Sequence, residues 1–274
     1  MLDSDFERQV KFDARKKDLN TDQEFFGENL TTSLLLQEFK AKNKLLSEIP
    51  DTILMSGWKE VEILPSDQIL INLNEFEEKY PIKISPQYYL QKIKGTSSEI
   101  FLREEVAMRL LTATNLLPRG YSFILFDGYR SLEVQSSLFN MFKEQLKNQN
   151  PNSTEKEIIE MTQIYVSLPS ANHLKPSPHA TGGAIDLSII DQNENLLDMG
   201  TKFDSLEIQA QTAYFKYRSE GEKFHLNRRL LYSIMTSNGF TNYPEEWWHY
   251  DFGNQFWGHV LQKQAIYSLA RGGV

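Results

Sequence analysis

An aspartate stands inside one of the most apolar stretches of the chain, Gly183-Ala184-Ile185-Asp186-Leu187-Ser188-Ile189-Ile190. The run reads as a strand. A carboxylate in such a strand is costly unless it is paired or bound to metal, so any fold of this chain has to supply Asp186 with a partner. Just ahead lies Ser177-Pro178-His179-Ala180-Thr181-Gly182-Gly183. This reads as a loop in which the glycine pair lets the backbone turn tightly and approach another group closely. His179 and Asp186 are therefore candidate ligands of one metal. A loop histidine and a satisfied strand aspartate are the alternative.

Around this segment the chain mixes helices and strands. Helical spacing is predicted over 102–116, 131–148, 153–163 (opened by Asn152 or Ser153) and 222–238, the last closed by Asn238-Gly239. Tyr121–Asp127 (YSFILFD) reads as a buried strand and 247–253 (WWHYDFG) as a final one. The segments WKEVEIL, QILINL and QYYLQKI, after Ile49, read as strands or extended loops. There is no regular βαβ alternation, so α+β is the expected class. The expected architecture is a single domain with a central, mainly antiparallel sheet flanked by helices. Residues 1–48 are expected to add a charged extension (1–28) and a packing helix (30–47) to a catalytic unit over 49–274.

The second chemical segment is Glu245-Glu246-Trp247-Trp248-His249-Tyr250-Asp251. A carboxylate near a histidine ligand suits a zinc hydrolase, where the metal binds the imidazole and the carboxylate takes a proton from water. Read alone, the segment is better explained as an aromatic-rich core strand beside a surface acidic pair. Together, His179, Asp186 and His249 offer two imidazoles and one carboxylate, with a fourth position open, the ligand count of a catalytic zinc site. A third piece, Phe126-Asp127-Gly128-Tyr129-Arg130-Ser131, lies where a strand ends and a helix begins. Arg130 there can reach a carboxylate or an oxyanion, with Asp127 either orienting it or capping the helix.

The ordered set DGYR, SxHxxGxAxD and ExWH resembles the zinc D-alanyl-D-alanine dipeptidases of the vancomycin-resistance type, within peptidase family M15. The likeness covers roughly residues 50–257. It implies a D-Ala-D-Ala metallopeptidase (hedgehog-like) fold, one Zn²⁺ per chain on His179, Asp186 and His249, and Glu246 as catalytic base. Arg130 would stabilise the oxyanion. Ser177, Asp204 and Asp127 would serve substrate binding, with Asp204 meeting the dipeptide ammonium and Asp127 supporting Arg130. The implied reaction is hydrolysis of D-Ala-D-Ala to free D-alanine. The alternatives are a D,D-carboxypeptidase on longer peptidoglycan stem peptides and a catalytically silent zinc-binding domain. The family's Tyr-Ala-Thr…Asn-Phe stretch, whose tyrosine helps bind the amine, has no recognisable counterpart in the nearest region, Asn72–Pro81.

Composition closes other routes. The 274 residues contain no cysteine, which rules out disulfides, Cys-ligated metal and thiol nucleophiles. A net charge of −8 argues against a general nucleic-acid binder. No apolar run is long enough to span a membrane, and the N-terminus lacks the apolar core of a signal peptide, so a cytoplasmic location is expected. His173, His225 and His259 carry no assigned chemistry.

Overall fold

The apolar run around Asp186 forms β5 (Ala184–Ile190), and every one of its seven residues is buried. It is the centre of a five-stranded sheet. Its neighbours are β4 (Ser122–Asp127) and β7 (His249–Asp251), both antiparallel to it. Outside them lie β2 (Ile82–Ile84), parallel to β4, and β6 (Thr241–Asn242), antiparallel to β7. The order is β2-β4-β5-β7-β6, and three of the four pairings are antiparallel. A separate antiparallel pair joins β1 (Leu70–Asn72) to β3 (Phe101–Arg103). The structure is a computed structural model that describes residues 47–51, 53–64 and 68–270. The extension expected over 1–28 and the helix expected over 30–47 lie outside the described residues, except for Ser47.

Helices flank the sheet. The first, α1 (Gln87–Leu90), is a single turn. Both α2 (Glu104–Ala113) and α5 (Glu222–Ser237) bury an apolar stripe, Val106, Leu110 and Leu111 on one and Leu230, Leu231, Ile234 and Met235 on the other. These side chains join Phe123, Leu125, Leu187 and Ile189 of the sheet in one core. Each such side chain contributes about 1.5–3 kcal/mol by leaving water. A second cluster forms on α3 (Leu132–Gln149), where Val134, Leu138, Phe139 and Phe142 meet Tyr88 and Val166. The remaining helices are α4 (Glu155–Tyr165) and α6 (Gln255–Leu261). No helix among the described residues is long and apolar enough to cross a membrane.

Some elements differ from the sequence reading. QYYLQKI opens with the helical turn α1 instead of a strand. Pro86 sits at its N-cap, the Leu90 N–H donates to the Pro86 carbonyl, and Tyr88 alone is buried, so one side chain per turn faces the core. WKEVEIL begins as a 3₁₀ turn, Trp58–Glu60, and QILINL passes from β1 into another, Leu73–Phe76, capped by Asn72. Thr154, not Asn152 or Ser153, opens α4 through a capping box with Glu157. The final strand is confined to His249–Asp251, because the Trp247 backbone N–H donates to the Ala210 carbonyl at 3.1 Å instead of extending the ladder. At the other end of the chain, Ser47–Asp51 docks on the body. The Ser47 N–H donates to Ser233 Oγ of α5, and Lys216 holds both the Ile49 carbonyl and Asp51.

The register sets up the site. Leu125 pairs with Leu187, but after a bulge it is Asp127 that stands opposite Asp186. Asp186 in turn pairs with His249. One bulge thus lines up Asp127, Asp186 and His249 across three adjacent strands, in the manner by which bulges re-aim side chains near sites.

Candidate active site

Three buried donors converge at that row. His249 Nδ1 lies 3.0 Å from Asp186 Oδ1. His179 Nε2 lies 3.5 Å from Asp186 Oδ2 and 3.2 Å from His249 Nδ1. His179 is not on the sheet. It opens a short 3₁₀ turn, His179–Thr181, that ends at Gly182 with φ of 73°. A Cβ on Gly182 would meet a Leu70 methyl at 2.5 Å, and one on Gly183 would meet the Phe252 carbonyl oxygen at 2.6 Å. The glycine pair is what lets this turn lie against the sheet end, as the sequence spacing predicts. The turn and the DGYR loop also brace each other. The Arg130 N–H donates to the His179 carbonyl at 3.2 Å, and His179 Nδ1 donates to the Gly128 carbonyl at 2.7 Å.

The outer hydrogen bonds fix both imidazoles. A carbonyl oxygen can only accept, so His179 Nδ1 carries the proton facing Gly128 and Nε2 keeps its lone pair. His249 Nε2 donates to Asp251 Oδ1 at 3.1 Å, so in the neutral ring Nδ1 is the acceptor. Burial opposes a charge on this imidazole, but Asp251 and Asp186 outweigh it and favour a second proton, which a metal ion would displace. Two nitrogen lone pairs and a carboxylate therefore point at one spot, with donor atoms all within 4.8 Å of one another. Such a set is held together by a proton or by a metal cation between its members. Imidazoles whose far nitrogens are held by a carbonyl and a carboxylate are characteristic of metal ligands. The donor set fits zinc.

The other sequence candidates surround the triad. Arg130 Nε meets Asp127 Oδ2 at 2.6 Å, and Nη2 lies 3.5 Å from Asp186 Oδ2. Ser131, not Asp127, caps α3, which leaves Asp127 to orient Arg130. Glu246 Oε2 stands 3.8 Å from His249 Nδ1. Asp204, in a left-handed conformation with φ of 59°, accepts a hydrogen bond from the Tyr88 hydroxyl at 3.1 Å. Ser177 Oγ is buried and meets no hydrogen-bond partner among the described residues. Arg130, Ser177, His179, Asp186, Asp204, Glu246 and His249 all line one cleft of about 180 Å³. Asp127 stays behind Arg130 and does not line it.

Residues 62–267 match the sequence family described as D-ala-D-ala dipeptidase, peptidase M15. The chain belongs to this family. It is 32% identical over 180 residues to a D-alanyl-D-alanine dipeptidase of Synechocystis, covering 58% of this chain and 72% of that one. It is 31% identical over 166 residues to one of Enterococcus faecium, covering 60% and 75%. The solved complex of VanYB with D-Alanine-D-Alanine aligns over 68% of this chain and 87% of that one, at 15% identity and a TM-score of 0.38. As an M15 family member the chain is a metallopeptidase.

The electrostatics of this M15 site are strongly perturbed. Burial pushes Glu246 up to about 8, helped by Asp186 and Asp204 and opposed by His249. Burial likewise takes Asp204 up to about 7, with Asp186 adding and Arg130 opposing. Burial acts against the charge on Arg130, but Asp127, Tyr88 and Asp186 outweigh it and hold the guanidinium firmly charged. Burial also opposes the charge on Asp186, yet the two histidines hold it well below the usual carboxylate range.

Two residues of the site escape the sequence reading. Tyr88 touches both Asp204 and, at 3.4 Å, Arg130 Nη2. The cleft therefore does contain a tyrosine beside Asp204, from α1 and not from Asn72–Pro81. Its sequence signal is weak, one of two adjacent tyrosines after Ser-Pro. Asp251, the partner of His249 Nε2, was legible in principle, since residues two apart on a strand share a face.

Proposed function

We propose that this M15 peptidase hydrolyses the free dipeptide D-Ala-D-Ala to two D-alanines, with one zinc ion held by His179, Asp186 and His249. The observation that carries the reading is the convergence of two acceptor nitrogens and a carboxylate within 4.8 Å, beside the half-buried Glu246. When bound, zinc supplies the Lewis acid that polarises the scissile carbonyl and makes water a nucleophile near neutral pH.

The protein's own groups do the rest. Glu246 takes the proton from water and returns it to the leaving amine. Its raised affinity for a proton suits the return of that proton to the amine. Arg130, locked by Asp127 and Tyr88, donates to the oxyanion of the tetrahedral intermediate and is already in place when charge develops. Ser177 Oγ, which has no partner among the described residues, bonds a polar group of the substrate. Asp204 receives the dipeptide ammonium, held in place by the Tyr88 hydroxyl. An N-acylated peptide would leave Asp204 facing a neutral amide, which selects for the free dipeptide. The curated relatives at 31–32% identity carry the dipeptidase name, in agreement with this choice.

The test is amine release from D-Ala-D-Ala and from an N-acylated D-Ala-D-Ala peptide by zinc-loaded protein. Cleavage of the free dipeptide alone is expected. Preference for the acylated peptide would overturn the dipeptidase reading in favour of a carboxypeptidase.

A further inference from the structure

The cleft is lined at one side by residues that lie ahead of the family-matched region. Trp58 and Lys59, in the 3₁₀ turn Trp58–Glu60, line it together with Tyr243 and Phe256. This turn is anchored to the body. The Gln255 side-chain amide of α6 donates to the Lys59 and Val61 carbonyls at 3.2 and 2.7 Å. The Trp58 ring packs edge-on against Phe256 at 4.4 Å, and Phe256 and Tyr243 lie 6.1 and 5.9 Å from the His249 ring. The turn therefore belongs to the wall of the site on the β7 side.

The cleft is also polar in a directional sense. Arg130, Tyr88 and Asp204 gather at the β4 side, around Asp127. Trp58 and Lys59 stand beyond His249, at the β7 side. Adjacent strands lie about 4.8 Å apart, so the row from Asp127 to His249 spans roughly 10 Å. An extended dipeptide covers roughly 7 Å. A zwitterionic dipeptide with its ammonium at Asp204 therefore directs its carboxylate toward the β7 side.

Of the two cations lining the cleft, Arg130 is engaged by Asp127 and Asp186. Lys59 is half-buried, and no carboxylate pairs with its ammonium among the described residues; that ammonium lies 5.1 Å from the Trp58 ring centroid. Burial and the neighbouring Lys175 both act against its charge. Lys175 has its own counter-ion in Glu60, at 2.8 Å. A half-buried ammonium with a cationic neighbour and no anion of its own is the feature expected of a group that receives its anion from a ligand.

We propose that Lys59 binds the C-terminal carboxylate of the substrate, from a turn that precedes the family-matched region. This rests on the dipeptidase reading. Asp204 and Lys59 then measure the substrate between a fixed anion and a fixed cation, which sets its length as well as its polarity.

The test compares D-Ala-D-Ala with D-alanyl-D-alaninamide, whose carboxylate is replaced by a neutral amide. Turnover is measured with zinc-loaded wild type, Lys59→Met and Lys59→Arg. Binding of both compounds is measured by calorimetry in a Glu246→Ala background. Charge-assisted hydrogen bonds of this kind are worth about 10- to 100-fold in affinity. Lys59→Met should lose that factor on the acid, chiefly in KM, and nothing on the amide. Lys59→Arg should restore part of it. An acid-to-amide ratio that Lys59→Met leaves unchanged, with the acid still turned over by wild type, would overturn the Lys59 assignment alone. Failure of wild type to turn over the dipeptide would overturn the dipeptidase reading, and the Lys59 assignment with it.

Discussion

Asp186 and His249 are direct cross-strand partners, 63 residues apart in sequence, and the imidazole Nδ1 lies 3.0 Å from the carboxylate. The sheet itself therefore builds two-thirds of the candidate metal centre. Only His179 arrives from a loop, and that loop is pinned to the DGYR segment by reciprocal hydrogen bonds. A centre built this way is preorganised, and a metal ion competes there with the proton that Asp251 and Asp186 favour on His249.

The first prediction follows from that preorganisation. Removing metal with a chelator should lower the thermal midpoint, and adding zinc should restore it. At a free zinc concentration 100 times its Kd the gain is about 2.7 kcal/mol. For a chain of this size that amounts to several degrees. Metal analysis should give one ion per chain in wild type. His249→Ala should bind no stoichiometric ion and show no zinc-dependent shift.

Asp251 holds the far nitrogen of His249 at 3.1 Å and touches no other member of the triad. Asp251→Asn should weaken zinc binding by about 10- to 100-fold, the usual effect of losing such a support. A competition titration against a chromophoric chelator measures this directly. An unchanged zinc affinity would mean that the neighbours of His249, not Asp251, orient the ring.

The Tyr88–Asp204 pair should govern the amine end of the substrate. Tyr88→Phe removes one hydrogen bond to the carboxylate and should raise KM for D-Ala-D-Ala by roughly 10-fold, with a smaller change in kcat. Burial puts Asp204 at about 7, so its carboxylate gains a proton as pH falls through that range. A protonated Asp204 cannot pair with the ammonium, and KM should therefore rise as pH drops below 7. Asp204→Asn should have a high KM that no longer varies over this range. Steady-state kinetics between pH 6 and 8.5 decide the matter.

Stability should also depend on pH, through a group far from the chemistry. Burial pushes His225 of α5 down to about 4, with Arg229, Lys216 and Arg228 adding, and its buried Nδ1 has no partner among the described residues. In the unfolded chain the same imidazole titrates near 6.5. Below 6.5 the unfolded chain takes up a proton that the folded chain refuses until about 4. The stability contribution is thus complete above pH 6.5 and is lost as pH falls toward 4, up to about 3 kcal/mol. Urea midpoints at pH 7 and pH 4.5 should differ less for His225→Leu than for wild type.

The chemistry was more legible in the sequence than the local structure around it. His179, Asp186, His249, Glu246 and Arg130 sit in short segments where a titratable residue breaks an apolar or glycine-rich pattern, and such breaks stand out. Asp186 is the clearest case, since an interior strand does not carry a carboxylate without a partner. The strands at 121–127 and 183–190 and the helices 131–148 and 222–238 were readable because their periodicity runs long enough to be unambiguous. The short pieces were not. Gln87–Leu90 has strand-like composition, yet Pro86 and the single buried side chain Tyr88 make it a helical turn. Tyr88 was missed for the same reason, because its role depends on a contact 116 residues away at Asp204. Lys59 was equally invisible, since nothing local distinguishes a lysine that lines a cleft from one in solvent.

The most direct test of the central claim is D-alanine release from D-Ala-D-Ala by wild type and Glu246→Ala, matched for zinc content. Loss of a general acid–base group lowers turnover by about 10²–10⁴-fold. The account predicts a loss of that size with metal content and thermal midpoint unchanged. A Glu246→Ala protein that holds its zinc and turns over the dipeptide at the wild-type rate would contradict it.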